Sequence, residues 1–160
     1  MRKRAPKILD VEKRAAFLVE SGCKREREGD FVKAAACYRQ ALSLKPADER
    51  IWYFSNNNLG YSLNQLEQYA DSERFCREAI KTDPRRYNAH KNLGIALQGQ
   101  GRLPEALASL VRAVELCPLD PRAGRHIFAL VSTHPELLEQ RPDIGARLVK
   151  MPWFTGCASA

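Results

Sequence analysis

Three histidines and five cysteines are the side chains in this sequence with catalytic or metal-binding chemistry, and their spacing decides whether they can use it. His126 and His134 stand eight residues apart with no acid or cysteine at ligand spacing, and Cys23, Cys37, Cys76, Cys117 and Cys157 form no C-x-x-C pair. No metal set is expected. His90 falls on an inward helical stripe, where it reads as a hydrogen-bonded packing residue rather than a general base. Gln98-Gly99-Gln100-Gly101 has the glycines of a phosphate loop but no preceding strand, which such a loop requires. The expectation is a protein without catalytic residues or cofactors. An odd cysteine count argues against a disulfide framework, so the thiols are read as reduced and the compartment as cytoplasmic.

Another kind of chemistry lies in amides. Asn56, Asn57 and Asn58 stand together in a segment with helical periodicity, although asparagine is a poor helix former. A local conflict of this kind accompanies function more often than packing, and the competing reading is a solvated helix face.

The elements that would position these amides are helices. Leu93, Gly94 and Leu97, then Leu103, Ala106, Leu110, Ala113 and Val114, mark two apolar stripes at helical spacing. Gly99 and Gly101 supply the turn between them, Pro104 fits the first turn of the second helix, and Pro118 stops it. Gly94 and Ala106 leave no bulk where the two helices approach. Stepping back 34 residues from Gly94, Ala113 and Pro118 gives Gly60, Ala79 and Pro84; a further step of 38 gives Gly22, Ala41 and Pro46. The four extra residues fall near Glu49 to Trp52 and lengthen the first helix of the middle copy by about one turn. Asp10, Asp48, Asp83 and Asp120 are read as N-caps, the last two followed by proline.

Repeated Leu-Gly, Gly, Ala and Pro at these offsets resembles the tetratricopeptide repeat, a helix-turn-helix unit of 34 residues. The resemblance implies an all-α, right-handed superhelical array of antiparallel helix pairs. Its repeats would span about 15–48, 53–86 and 87–120, with capping helices over 121–150 that cover the last apolar face. Residues 1–9 form a basic arm and 151–160 a tail, in which Met151-Pro152-Trp153-Phe154 is expected to dock because two exposed aromatics would be sticky.

The chain is 160 residues, 44% hydrophobic and 28% charged, with a formal charge of +7. It has no run apolar enough for a transmembrane helix, and MRKRAPKILD lacks the apolar core of a signal peptide. No membrane partner is expected.

In the resembled family the first helix of each repeat lines a concave face. Carried onto this sequence, that face holds Ala16, Val19, Glu20, Cys23, Glu26 and Arg27 in the first repeat, Phe54, Asn57, Asn58, Tyr61, Asn64 and Gln65 in the middle repeat, and Asn88, Lys91, Asn92, Ile95, Gln98 and Gly99 in the third. Arg122, Arg125 and His126 extend it on the capping helix. The implied function is a non-enzymatic adaptor or scaffold holding a peptide in this groove, with Asn58 and Asn92 pairing with its backbone and the basic end favouring acidic residues. The family's carboxylate-gripping subtype is matched only by Asn58 in one register (Val19, Cys23, Asn58, Asn88, Asn92). It is met in part by Asn57, Tyr61, Asn92, Arg122 and His126 one repeat on. Two other readings stand beside the adaptor: a chaperone similar to three-repeat secretion chaperones, and nucleic-acid binding through the basic arm, which lacks the aromatic interleaving of stacking surfaces.

Overall fold

The computed structural model describes residues 5–151. Within them the chain forms α1 (Ala5–Arg27), α2 (Phe31–Ser43), α3 (Glu49–Gln65), α4 (Tyr69–Thr82), α5 (Tyr87–Gly99), α6 (Leu103–Leu116), α7 (Pro121–Thr133), α8 (Glu136–Gln140) and α9 (Pro142–Leu148). The fold is all-α: α1 pairs with α2, α3 with α4 and α5 with α6, and each pair stacks on the next.

Two small devices recur in all three pairs and set the stacking. Gly22, Gly60 and Gly94 each face the residue sixteen positions later, and a Cβ on them would lie 2.5 Å from Tyr38 Cε1, 2.5 Å from Cys76 Sγ and 2.6 Å from Leu110 Cγ respectively. The inter-helix turn is the second device. Asp30 N donates to Arg25 O, Gln68 N to Leu63 O and Arg102 N to Leu97 O, at 2.9 to 3.0 Å, closing each first helix with the same left-handed residue. That residue is Gly29 (φ 76°), Glu67 (φ 58°) and Gly101 (φ 74°). Gly99 is not part of this turn: it lies inside α5, with the Tyr69 ring 2.5 Å from where its Cβ would be.

The caps are mixed. Asp48 Oδ1 accepts from Arg50 N and Asp120 Oδ1 from Arg122 N, as expected. Asp30 adds a third cap, accepting from Lys33 N. Asp83 instead ends α4, and α5 begins only at Tyr87, because the Asp83 carboxylate is engaged by Arg85 N and by the Arg86 side chain in a turn. Asp10 is no cap either, since α1 already runs from Ala5. The inserted residues behave as expected: α3 has 17 residues and α5 has 13.

The core of the last pair continues into the C-terminal helices. Leu107, Leu110, Val111 and Val114 of α6 pack with Ile127 and Leu130 of α7, Leu137 of α8, and Ile144 and Leu148 of α9. Burying this apolar face is what the capping helices contribute. Arg147 Nε donates to Glu115 Oε1 at 2.7 Å and pins α9 to α6. Met151 is buried in the same cluster, whereas Pro152, Trp153 and Phe154, expected to dock here, lie outside the described residues.

Candidate functional site

α1, α3, α5 and α7 share one side of the array and enclose a cavity of about 660 Å³. Its walls are Asn57, Asn58, Tyr61 and Gln65 from α3, Asn88, Lys91, Asn92 and Ile95 from α5, and Arg122, Arg125 and His126 from α7. Glu26 of α1 and Ala129 of α7 complete it. Ala129 was missed, although it follows Gly124 by five residues, the same offset that puts Gln65 after Gly60. Glu26, four residues after Gly22, is the first-repeat residue that the same offsets place on this face.

Phe54 and Asn64, expected in the groove, do not line it. Phe54 lies nearer the start of α3, with its ring edge-on to Tyr53 at 5.5 Å and under the Arg86 guanidinium at 5.1 Å. Asn64 is used between helices: it is 6% exposed, and its Nδ2 donates to the backbone oxygen of Asn92 at 2.9 Å.

The asparagine run is not a solvated face. Asn56 is buried and donates from Nδ2 to Trp52 O one turn back. Asn92 Nδ2 donates to Asn57 Oδ1 at 3.2 Å, Asn57 Nδ2 to Asn58 Oδ1 at 2.9 Å, and Asn58 Nδ2 to Cys23 Sγ at 3.4 Å. Tyr38 Oη also donates to that sulfur. Each amide's orientation is thus fixed by its neighbour, from α5 through α3 to α1. Asn92, expected to pair with a peptide backbone, is 2% exposed and lends its amide nitrogen to Asn57, while its oxygen has no hydrogen-bond partner among the described residues.

The groove is electrically polarised. At the α1 end, Glu26 accepts from Ser62 Oγ at 2.9 Å, and burial pushes its carboxyl above the usual range. At the α7 end stand Lys91, Arg122, Arg125 and His126. Arg122 is matched, because its Nε donates to both Asp120 oxygens at 2.9 and 3.0 Å and its Nη2 to Tyr87 Oη at 2.8 Å. This pairing holds the Asp120 carboxyl far below the usual range. Lys91 and Arg125 have no ion-pair partner among the described residues. Lys91 is only 7% exposed, and burial, followed by repulsion from Arg122, lowers its proton affinity. Burial also lowers that of His126, with Lys91 and Arg125 adding repulsion. His90 is a packing residue whose Nε2 lies 2.9 Å from Pro84 O, and burial lowers its pKa too.

In the better-fitting register of the carboxylate-gripping set, the Asn92 amide nitrogen is held by Asn57 and Arg122 is paired with Asp120 and Tyr87, while the Asn92 oxygen has no hydrogen-bond partner among the described residues. Among the described residues, no three His, Cys, Asp or Glu side chains are grouped to hold a metal ion, and no helix is long and apolar enough to cross a membrane.

Comparison with known proteins places this arrangement. Two family profiles, both described as tetratricopeptide repeat, match residues 57–121 and 22–48. The peroxisomal targeting signal receptor of Eremothecium gossypii is 31% identical over 87 residues, which are 54% of this chain and 15% of that receptor. Among solved structures, the C-terminal TPR-containing domain of a Plasmodium falciparum FK506-binding protein superposes with a TM-score of 0.75 at 20% identity, covering 82% of this chain and 95% of that one. The first TPR of Spaghetti (RPAP3), bound to the HSP90 peptide SRMEEVD, gives 0.68 at 22% identity, covering 76% and 94%. With the repeated glycine contacts and turns, the paired helices and the profile matches in agreement, the chain belongs to the tetratricopeptide-repeat family.

Proposed function

We propose that this protein is a non-enzymatic interaction module that holds an extended segment of a partner protein in the concave groove, with the segment's acidic part over α7. The observation that carries this reading is Lys91, a residue 7% exposed in the wall of an open cavity, with no ion-pair partner among the described residues. A buried, unmatched charge is costly in the free protein and becomes matched when an anionic group enters. The amide edges of Asn57, Asn58 and Asn88 supply polar contacts along the groove, and Tyr61 and Ile95 supply apolar area. The acidic peptide held by the RPAP3 domain is consistent with this choice of ligand.

The test is site-specific photo-crosslinking in the protein's own cells. A crosslinker at Ile95 in the groove should give a discrete adduct, while one at Arg74, exposed on α4, should not. Equal yields from both positions would move the binding surface off the groove.

A further inference from the structure

The α7 end of the groove carries more positive charge than one carboxylate can match. Arg122 is neutralised by Asp120, which leaves Lys91 and Arg125 as two unmatched cations lining one end of the cavity. His126 lines the same end, close enough to both that each disfavours its protonation, so three donors address one region. Glu26, the other acid of the groove, lies on α1 at the far end, held by Ser62. A carboxylate brings one charge and two acceptor oxygens. A phosphate monoester brings about −1.5 to −2 charges at neutral pH and three strong acceptor oxygens. Two unmatched cations and an imidazole fit the second better than the first, and the fit matters most for Lys91, which is nine-tenths buried and has water on little of its surface.

We infer that the α7 end of the groove receives a phosphorylated serine or threonine of the bound segment, with Lys91, Arg125 and His126 as its donors. This rests on the groove reading above and names the chemistry of its acidic end. Asn88 and Ile95, one turn away from Lys91 on either side along α5, flank the phosphate and contact the residues next to it. Phosphorylation of the partner would then switch association on, and its removal would leave the two cations unmatched.

The experiment uses the full chain and three degenerate peptide libraries that differ only at a fixed central position, occupied by serine, glutamate or phosphoserine. The phosphoserine library should be retained about tenfold or more over the other two. Arg125→Ala, at an exposed position on α7, should keep the wild-type melting temperature and remove most of that preference, and Lys91→Met should remove it likewise. Equal retention of the glutamate and phosphoserine libraries would overturn the phosphate assignment and leave the groove reading standing. Retention of none of the three by folded protein would overturn both. Inorganic phosphate competing as well as a phosphoserine peptide would show a site for a free anion, and would likewise overturn the assignment.

Discussion

Asn92 Nδ2 lies 3.2 Å from Asn57 Oδ1, a hydrogen bond that joins α5 to α3 in the wall of the groove. Asn57 passes the connection to Asn58, and Asn58 to Cys23 on α1, so the asparagines work first as a bond between repeats. From sequence, replacing Asn58 and Asn92 together is expected to weaken binding and spare the fold. The structure gives Asn92 a second role, in the fold. Asn92→Ala leaves the Asn57 oxygen without its donor in a buried setting and should cost about 1–2 kcal/mol, whereas the half-buried Asn58→Ala should cost less than about 1 kcal/mol. Urea unfolding of the two variants separates them, and an Asn92→Ala midpoint equal to wild type would mean that this amide is free for ligand.

Glu67 occupies the turn position that glycine holds in the other two repeats, at φ 58° beside 76° and 74°. A side chain at that backbone angle is strained by roughly 1 kcal/mol, and glycine is not. Glu67→Gly should therefore stabilise the protein by about 0.5–1 kcal/mol, and Gly101→Ala should destabilise it by a similar amount. Thermal melts of the pair check the opposite signs together.

Gly60 is fixed by space rather than by backbone angle. A Cβ there would lie 2.5 Å from Cys76 Sγ, so Gly60→Ala should destabilise by about 1–3 kcal/mol through overpacking. Cys76→Ala removes the offending sulfur while keeping its Cβ. The double variant should recover much of the loss, with a coupling energy of about 1 kcal/mol in a double-mutant cycle. Simple additivity of the two changes would show that α3 and α4 meet somewhere else.

The repeat was legible in the sequence because its glycines, alanines and prolines answer to backbone geometry, which is the same in each copy. Gly22, Gly60 and Gly94 could be aligned without knowing that their partners are a tyrosine, a cysteine and a leucine. The groove was legible by the same route, since helical offsets say which residues share a face. What an offset cannot say is which polar side chains are already satisfied. Asn64 and Asn92 carry the same amide as Asn58 at neighbouring positions, but a contact between α3 and α5, 28 residues apart, consumes one of them. Asp83 and Asp120 present the same Asp-Pro dipeptide, yet Asp120 caps a helix while Asp83 closes a turn with Arg86, because α5 starts three residues after Pro84.

His90 and His126 both have pKa values lowered by burial from the ordinary value near 6.5. Between their folded values and about 6.5 the unfolded chain binds more protons than the native one, so stability rises with pH across that window and falls on acidification. Glu26, whose carboxyl is raised by burial, acts with the opposite sign above its ordinary value near 4.5. Replacing both histidines by glutamine should flatten the slope of stability against pH in the window just below their ordinary value near 6.5. An unchanged slope would assign the acid response to carboxylates instead.

Lys91 sets stability against binding at one side chain. The residue is 7% exposed, the Arg122 charge repels its ammonium, and it has no ion-pair partner among the described residues. The charged form is penalised in the native state only, so its folded pKa is depressed below the ordinary value near 10.5. The penalty is fully present below the folded pKa and fades as pH rises from there toward 10.5, because the unfolded chain is the one that binds the extra proton in that interval. Lys91→Met keeps the length and apolar stem without the charge. At neutral pH it should raise stability by about 1 kcal/mol or more, and this gain should shrink as the pH is raised toward 10. Binding should move the other way: the variant loses the buried cation that an acidic segment neutralises, so its affinity for such a segment should fall even as its melting temperature rises. A variant that is less stable yet binds an acidic segment with undiminished affinity would show instead that Lys91 is satisfied within the free protein, and that the groove's preference for anions lies with Arg125 alone.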